Sequence, residues 1–250
     1  RLGYEKSARV KKMLDDTGIN PAEIKSREDL ECLQVTSREK LVEMEQQQPP
    51  YAGLENPDIH IDRIFTSPGP VYEPHLSDTD YLWARAFFAA GIGPKDIALC
   101  AFSYHLVAAG LTFHNGLRRV GATVVPSGAS SSQIQVQLIK DLKVTAYVGT
   151  PSFLKAIIEK SKEMGFDFKR DFLVKKACFA AEPLLPIYAG LLKRTTVSIR
   201  IRCTGRRKSV TLPMNVARKK GGISARKPSW KLLTRPPARM FLKENWARLW

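Results

Sequence analysis

The 250-residue chain has no apolar run approaching the roughly eighteen residues that cross a bilayer, which excludes a helical integral membrane protein. It begins Arg1-Leu2-Gly3-Tyr4, with no apolar stretch behind a basic one, and so reads as carrying no signal peptide. Cysteine is scarce: Cys32, Cys100, Cys178 and Cys203 lie far apart and form no C-x-x-C pair. That spacing points away from a zinc ribbon or a disulfide scaffold and toward a reducing, cytoplasmic compartment. His60, His75 and His114 have no partners at metal-ligand spacing, so they read as structural or exposed and no metal site is expected. Acids are nearly missing from one stretch. Residues 187–250 hold 17 Lys/Arg against the single acid Glu244, whereas residues 1–186 hold 23 basic and 23 acidic residues. The net charge of +16 therefore lies wholly in the last quarter of the chain, and a composition shift this sharp marks a boundary.

With 44% hydrophobic and 26% charged residues, the chain has the composition of a globular protein and room for one large domain or two small ones. Residues 4–17 read as an amphipathic helix stopped by Gly18 and Pro21. Ser26 and Ser37 each precede acidic first-turn residues, the arrangement of a helix N-cap. From residue 62 the pattern becomes short apolar runs alternating with helical ones. Strands are expected at 62–66, 96–102, 122–126, 144–149 and 175–180, and helices at 78–91, 104–120, 131–142 and 152–164. This rhythm implies right-handed βαβ crossovers and an α/β fold with a doubly wound, mostly parallel sheet. The division expected is a helical lead-in at 1–61, an α/β part at 62–186 and an irregular basic tail at 187–250. In such sheets ligands bind beyond the carboxyl ends of the strands, so the segments after each strand are where chemistry is sought.

Those segments carry a resemblance. The run Cys100-Ala101-Phe102-Ser103-Tyr104-His105-Leu106, then Ala109-Gly110-Leu111 and Gly116-Leu117-Arg118, resembles the AMP-forming adenylating superfamily, and more narrowly its phenylacetate–CoA ligase branch. The strand ending in Pro126-Ser127-Gly128, the run Tyr147-Val148-Gly149-Thr150-Pro151-Ser152-Phe153-Leu154, and the lead-in around Ile24-Lys25-Ser26, Val35-Thr36 and Glu39-Lys40-Leu41 extend it over residues 4 to about 186. The resemblance implies a two-step ligase using ATP, Mg²⁺ and coenzyme A. A small-molecule carboxylate attacks the α-phosphate of ATP to give an acyl-adenylate and pyrophosphate, and the coenzyme A thiol then displaces AMP. Catalysis of this kind is positioning plus stabilisation of phosphate charge.

It also assigns candidate residues, each with a plainer alternative. Thr66, Ser67 and Gly69 stand where the family has its phosphate loop, but Pro68 and Pro70 supply no N–H to a phosphate. The segment is either a variant loop or a turn. Tyr104 and His105 stand where the family lines its acyl pocket, or they simply cap and pack the following helix. Ala181, Glu182 and Pro183 resemble the family's Gly-Glu-Pro segment, whose backbone holds the adenine; Glu182 alone would be a solvated acid. Residues 149–152 read as helix initiation, with Pro151 near the first turn. No catalytic residue is assigned.

The family continues past residue 186 to a Tyr-Gly-x-x-Glu motif whose Glu helps hold Mg²⁺, and this chain has none in frame. The genetic code nevertheless constrains what lies one base out of step. The codons of Thr195-Thr196-Val197-Ser198-Ile199 can spell Asp-Tyr-Gly-Ile-Asp, and those of Cys203 through Val210 can spell Tyr-Gly-x-Ala-Glu-Val-Gly. Met214 followed by Asn215 forces a Glu in that frame. The tail is therefore expected to be an out-of-frame translation beginning near residues 187–194, because Glu codons read off-frame readily give Lys and Arg. The chain is then an inactive N-terminal piece lacking the magnesium motif, the ribose-binding Asp, the hinge and the catalytic Lys of the family. The rival reading is a non-catalytic nucleotide-binding or scaffold module whose tail, with Arg206-Arg207-Lys208, Arg218-Lys219-Lys220 and Trp230, Trp246 and Trp250, binds nucleic acid. That reading leaves the shifted codons unexplained.

Overall fold

A computed structural model describes residues 2–26, 29, 35–76, 80–184, 202–203 and 214–215. The lead-in holds α1 (Leu2–Lys6), α2 (Ala8–Asp15) and α3 (Arg38–Gln47). The single helix expected at 4–17 is broken at Ser7, which is buried, accepts the Val10 N–H as N-cap and donates its hydroxyl to the Gly53 carbonyl at 2.8 Å. A tertiary bond thus overrides a continuous helical pattern. Ser37 caps α3 as expected, accepting the Lys40 N–H. The helix expected after Ser26 falls largely outside the described residues.

Two strands, β1 (Arg63–Ser67) and β2 (Val71–His75), pair antiparallel as a hairpin of their own. The strand expected at 62–66 is therefore present but does not join the parallel sheet. The sequence Pro68-Gly69-Pro70 turns the chain straight back, and Pro74 suits β2 to an edge.

The main sheet contains β3 (Ile97–Cys100), β4 (Thr123–Val125), β5 (Ala146–Gly149) and β6 (Lys176–Phe179), with two-residue strands β7 (Arg202–Cys203) and β8 (Met214–Asn215). The spatial order is β4-β3-β5-β6-β7-β8, parallel from β4 through β7, with β8 antiparallel. At these four residues the structure has strand where an irregular tail was expected. The rest of the expectation for 187–250 lies outside the described residues. Helices α4 (Tyr81–Ala89), α5 (Ala108–Arg119), α6 (Ser132–Asp141), α7 (Pro151–Glu163) and the short α8 (Phe168–Asp171) complete the described fold. No helix among the described residues is long and apolar enough to cross a membrane.

Alternation along the strands builds two cores. On one face Ala98, Cys100, Ala146, Val148, Cys178 and Ala180 are small, and Phe87, Phe113 and Leu117 from α4 and α5 pack onto them. On the other, Leu99, Tyr147, Ala177 and Phe179 meet Val136, Ile139, Leu154 and Ile157 from α6 and α7. Helices on both faces of a parallel sheet make it doubly wound, and burial on both sides explains the unbroken apolar runs of the strands. Cys178 is disulfide-bonded, whereas Cys100 is free and buried. The α4–α5 crossing is close because Gly116 has no side chain: a Cβ there would lie 2.6 Å from Cβ of Trp83 and 3.0 Å from the Phe87 ring.

The amino ends of the strands are tied by Asp96, which is 5% exposed. Its carboxylate accepts from Lys176 Nζ at 2.7 Å, the Gly93 N–H at 2.8 Å and the Thr145 hydroxyl at 2.9 Å. Burial opposes its ionisation, but these three donors together outweigh burial and hold the carboxyl below its usual range. Such a group contributes stability that is fully present above the unfolded carboxyl value of about 3.9 and lost as pH falls through the lower folded value. Asp96→Asn is expected to cost about 3 kcal/mol near neutral pH by leaving Lys176 unpaired, and to flatten the acid limb of stability against pH, both read by urea unfolding. Gly116→Ala is expected to cost about 2 kcal/mol in the same assay by forcing α4 and α5 apart.

Candidate functional site

The sheet order reverses at β3: the chain steps from β3 to β4 on one side, then returns past β3 to β5 on the other. In doubly wound sheets ligands bind at such a switch point, here the carboxyl ends of β3 and β5. Ala101 N–H donates to the Val148 carbonyl there at 2.8 Å, so the loops leaving the two strands start side by side.

The loop after β3 is held by helix α5. Gly110 N–H donates to the Ser103 carbonyl at 3.1 Å, and a Cβ on Gly110 would lie 2.3 Å from that oxygen. Only glycine permits this approach. Tyr104 is half-buried, its hydroxyl 3.3 Å from Nδ1 of His114 and its ring edge-on to the imidazole. Burial, with the neighbouring Cys100 thiol, pushes the Tyr104 phenol far up, so it stays protonated. Burial and the charges of Arg118 and Arg63 push His114 down, which keeps the imidazole neutral at physiological pH. A neutral Tyr–His pair can donate or accept one hydrogen bond without carrying charge. His105, by contrast, is exposed, its backbone N–H bonded to the Ser103 hydroxyl. The structure turns Tyr104 inward and leaves His105 outside.

Next to His114 on α5, Asn115 donates to Asp80, a carboxylate 2% exposed that also meets His75 Nε2 at 2.8 Å and Arg63 at 3.4 Å. Arg63 and His75 face each other across the base of the hairpin. This polar knot fixes the hairpin to α4 and α5. The hairpin also touches the site loop: Thr66 N–H donates to the Leu106 carbonyl at 2.8 Å. Thr66 and Ser67 therefore lie on β1 beside the loop carrying Tyr104, with Gly69 in the turn. The Ser67 hydroxyl accepts from Arg38 at 2.8 Å.

The second cluster forms beyond β5 and β6. Ala180 N–H donates to the Gly149 carbonyl, and Ala181 adopts a left-handed φ of 70°, a conformation easier for glycine. Glu182 accepts from the Ser152 hydroxyl at 2.7 Å and from its N–H at 3.2 Å, so it caps the start of α7 and is not a free solvated acid. Pro183 follows it, and Pro151 opens α7 with Thr150 as N-cap. Gly149 is enclosed by Tyr147, whose hydroxyl bonds the Thr150 carbonyl where a Cβ would stand. The loop after β4 closes on β3 through Gly128 N–H and the Ser127 hydroxyl, both donating to the Cys100 carbonyl. Buried Gln135 reaches back from α6 to the Gly128 carbonyl and the Ser130 hydroxyl.

Sequence reasoning missed Arg38, His114, Asp80 and Gln135. Each acts across ten to thirty residues of intervening chain or from a neighbouring element, where no local spacing signals it. Among the described residues no cluster of His, Cys, Asp and Glu is placed to hold a metal ion. For a nucleotide the fit is divided. The left-handed backbone at Ala181 and the capped α7 suit a flat base lying on main chain, whereas Pro68 and Pro70 deprive the hairpin turn of the N–H groups that would cradle phosphates.

No family model matches the chain. It is 30% identical over 192 residues to the phenylacetate–coenzyme A ligase of Aromatoleum evansii, a match covering 73% of this chain and 42% of that protein. The phenylacetate–coenzyme A ligase of Escherichia coli is likewise 30% identical over 189 residues, covering 72% and 42%. Among solved structures, 2-hydroxyisobutyryl-CoA ligase with 2-HIB-AMP and CoA superposes with a TM-score of 0.74 over 82% of this chain and 46% of that one, at 23% identity. The same α/β fold is thus shared. The chain spans less than half the length of the curated relatives it matches, and it corresponds to part of an AMP-forming CoA ligase. In sequence and in fold, the chain is phenylacetate–CoA ligase-like and belongs with the AMP-forming adenylating superfamily.

Proposed function

We propose that residues 1–186 are the N-terminal part of a cytoplasmic ATP-dependent carboxylate–CoA ligase, and that the basic tail is an out-of-frame continuation of its gene. The carrying observation is the relatedness to phenylacetate–CoA ligases, 30% identity over 73% of the chain. In this reading Tyr104, held by His114, forms the polar end of the acyl pocket, with His105 at its mouth. Ala181, Glu182 and Pro183 present backbone to the adenine, Glu182 being fixed by Ser152. Thr66, Ser67 and Gly69 face the phosphates. A carboxylate oxygen bonds to the α-phosphorus as the bond to the bridging β-phosphate oxygen breaks, releasing pyrophosphate. The thiol sulfur of coenzyme A then bonds to the acyl carbon as AMP departs with the bonding electrons. This chain's residues bind and orient the reactants, and the magnesium ion that neutralises the phosphates in such reactions has no carboxylate set among the described residues.

Two supports bear on the tail. The sequence relatives match 73% of the chain, and the charge-neutral residues 1–186 are 186 of its 250. In addition, codons allowed for residues 203–208, read one base out of step, can spell the family's Tyr-Gly-x-x-Glu pattern. An independent read of the coding DNA across codons 180–210 is expected to reveal a one-base insertion or deletion near 187–194; a frame confirmed as written overturns the tail proposal. ATP–pyrophosphate exchange is expected to be absent from the 250-residue chain. It should appear, dependent on an aryl or acyl carboxylate such as phenylacetate, in the frame-restored, full-length protein. Absence of exchange there with every carboxylate tried would leave the scaffold reading in its place.

A further inference from the structure

Helix α2 and the turn after α3 enclose an open cavity of about 270 Å³, lined by Ala8, Arg9, Lys12, Gln48 and Gly53. Four hydrogen bonds build it. The Ser7 hydroxyl and the Arg9 N–H both donate to the Gly53 carbonyl, at 2.8 and 3.2 Å. Arg9 Nε donates to the Ala52 carbonyl at 3.0 Å, and Arg9 Nη2 to Gln48 Oε1 at 3.3 Å. A guanidinium can only donate, so this last bond fixes the Gln48 oxygen toward Arg9 and leaves the Nε2 hydrogens unused. Gly53 has a left-handed φ of 72°, and a Cβ on it would lie 3.1 Å from Gln48 Nε2, so a side chain there would press on the amide.

The free capacity of the lining is all of one kind. The Lys12 ammonium, Arg9 Nη1 and Gln48 Nε2 have no partner among the described residues, whereas the Gly53 carbonyl and Gln48 Oε1 already accept. No carboxylate among the described residues pairs with Arg9 or Lys12. Residues three apart on a helix share a face, so two like charges stand over one cavity. They repel each other, and an anion between them turns the repulsion into attraction. A lining of donors suits a ligand that accepts on every side.

We propose that this cavity binds a tetrahedral dianion, free or as the phosphate of a small ester, through Lys12, Arg9 and Gln48. Two cations match two charges, and the cavity lies near the lower end of the size range of small-molecule sites. The site does not rest on the ligase reading: it belongs to the lead-in, and neither Tyr104 nor the 181–183 segment lines it.

The test is calorimetric titration of the 250-residue chain with methyl phosphate, sulfate and acetate, for wild type, Lys12→Gln, Gln48→Glu and Lys11→Gln. Both dianions are expected to bind wild type, with acetate at least about tenfold weaker because it brings a single charge. Lys12→Gln removes a charged donor that holds nothing in the fold, and should weaken both dianions by about ten- to a hundredfold, the range for charge-assisted hydrogen bonds. Gln48→Glu keeps an oxygen for Arg9 but sets a carboxylate in the lining, and should abolish binding. Lys11→Gln removes the same charge from the same helix outside the cavity, where Lys11 Nζ lies 5.9 Å from the Tyr4 ring centroid. It should leave affinity within about twofold. Methyl phosphate should also weaken as pH falls from about 8 to about 5, through its second ionisation at about 6, while sulfate should not. Tighter binding of methyl phosphate than of sulfate assigns the cavity to an ester, and otherwise the free ion is the ligand; both uphold the proposal. No binding of either dianion, acetate matching them, or equal losses in Lys11→Gln and Lys12→Gln would overturn it. Affinity unchanged in both Lys12→Gln and Gln48→Glu would put the anion elsewhere, on the basic tail, and overturn it as well.

Discussion

The close approach of the Gly110 N–H to the Ser103 carbonyl is the contact on which the site depends. Helix α5 begins hard against the loop leaving β3, and no side chain fits between them. This pins Ser103 and with it the loop that follows: Tyr104 is turned inward to His114, and Leu106 takes a left-handed φ of 56° with its carbonyl aimed at Thr66. One backbone contact therefore sets the Tyr104 side chain, strains the chain at Leu106 and docks the hairpin. A residue in that conformation costs about 1–2 kcal/mol, and the Leu106 carbonyl's bond to Thr66 is one return on it.

The two ends of the sheet divide the work. At the amino ends, Asp96 satisfies Lys176, Thr145 and Gly93 and leaves no group looking for a partner. At the carboxyl ends, polar groups are held in position yet keep unused capacity: the Tyr104–His114 pair and the backbone at Ala181. Full satisfaction gives rigidity; partial satisfaction leaves room for a ligand. Asp80 lies between these cases. Its carboxylate is spent entirely on Arg63, His75 and Asn115, and its effect is to hold the hairpin against the helices that carry the site.

The central sheet was legible because its signals are local. The β-branched runs at 122–125 and 144–148, the N-caps at Ser131 and Thr150, and Pro151 in the first turn of α7 each act within a few residues, and each expected strand of the parallel sheet was found within two residues of its place. The hairpin was half legible. β1 was expected, but β2 (Val-Tyr-Glu-Pro-His) alternates poorly and contains a proline, so nothing local marks it as a strand; its pairing comes from the turn and from Glu45, a buried α3 carboxylate that accepts the Tyr72 N–H. The lead-in misled for the opposite reason. Its helical pattern is continuous, and only the distant Gly53 carbonyl makes Ser7 a cap. Among the candidate residues, Tyr104 and the 181–183 segment follow strands directly, so their places were legible from position. His114 meets Tyr104 through folding alone.

The prolines of the hairpin turn connect these observations. A glycine-rich loop binds an anion with main-chain N–H groups that cost no charge and need no partner when empty. Replacing those N–H groups with prolines stiffens the turn and removes the donors. Any positive potential at that spot must then come from a side chain, and a side chain has to be held. Arg38 is held by the turn itself, through the carbonyl of Pro68 and the hydroxyl of Ser67, so the stiff turn and the cation position each other. The arrangement ties the lead-in helix to the hairpin. Residues 38–47 are then more than a support for the α/β part, because without α3 the hairpin turn would have no charge and only the Gly69 N–H and the Ser67 hydroxyl as donors.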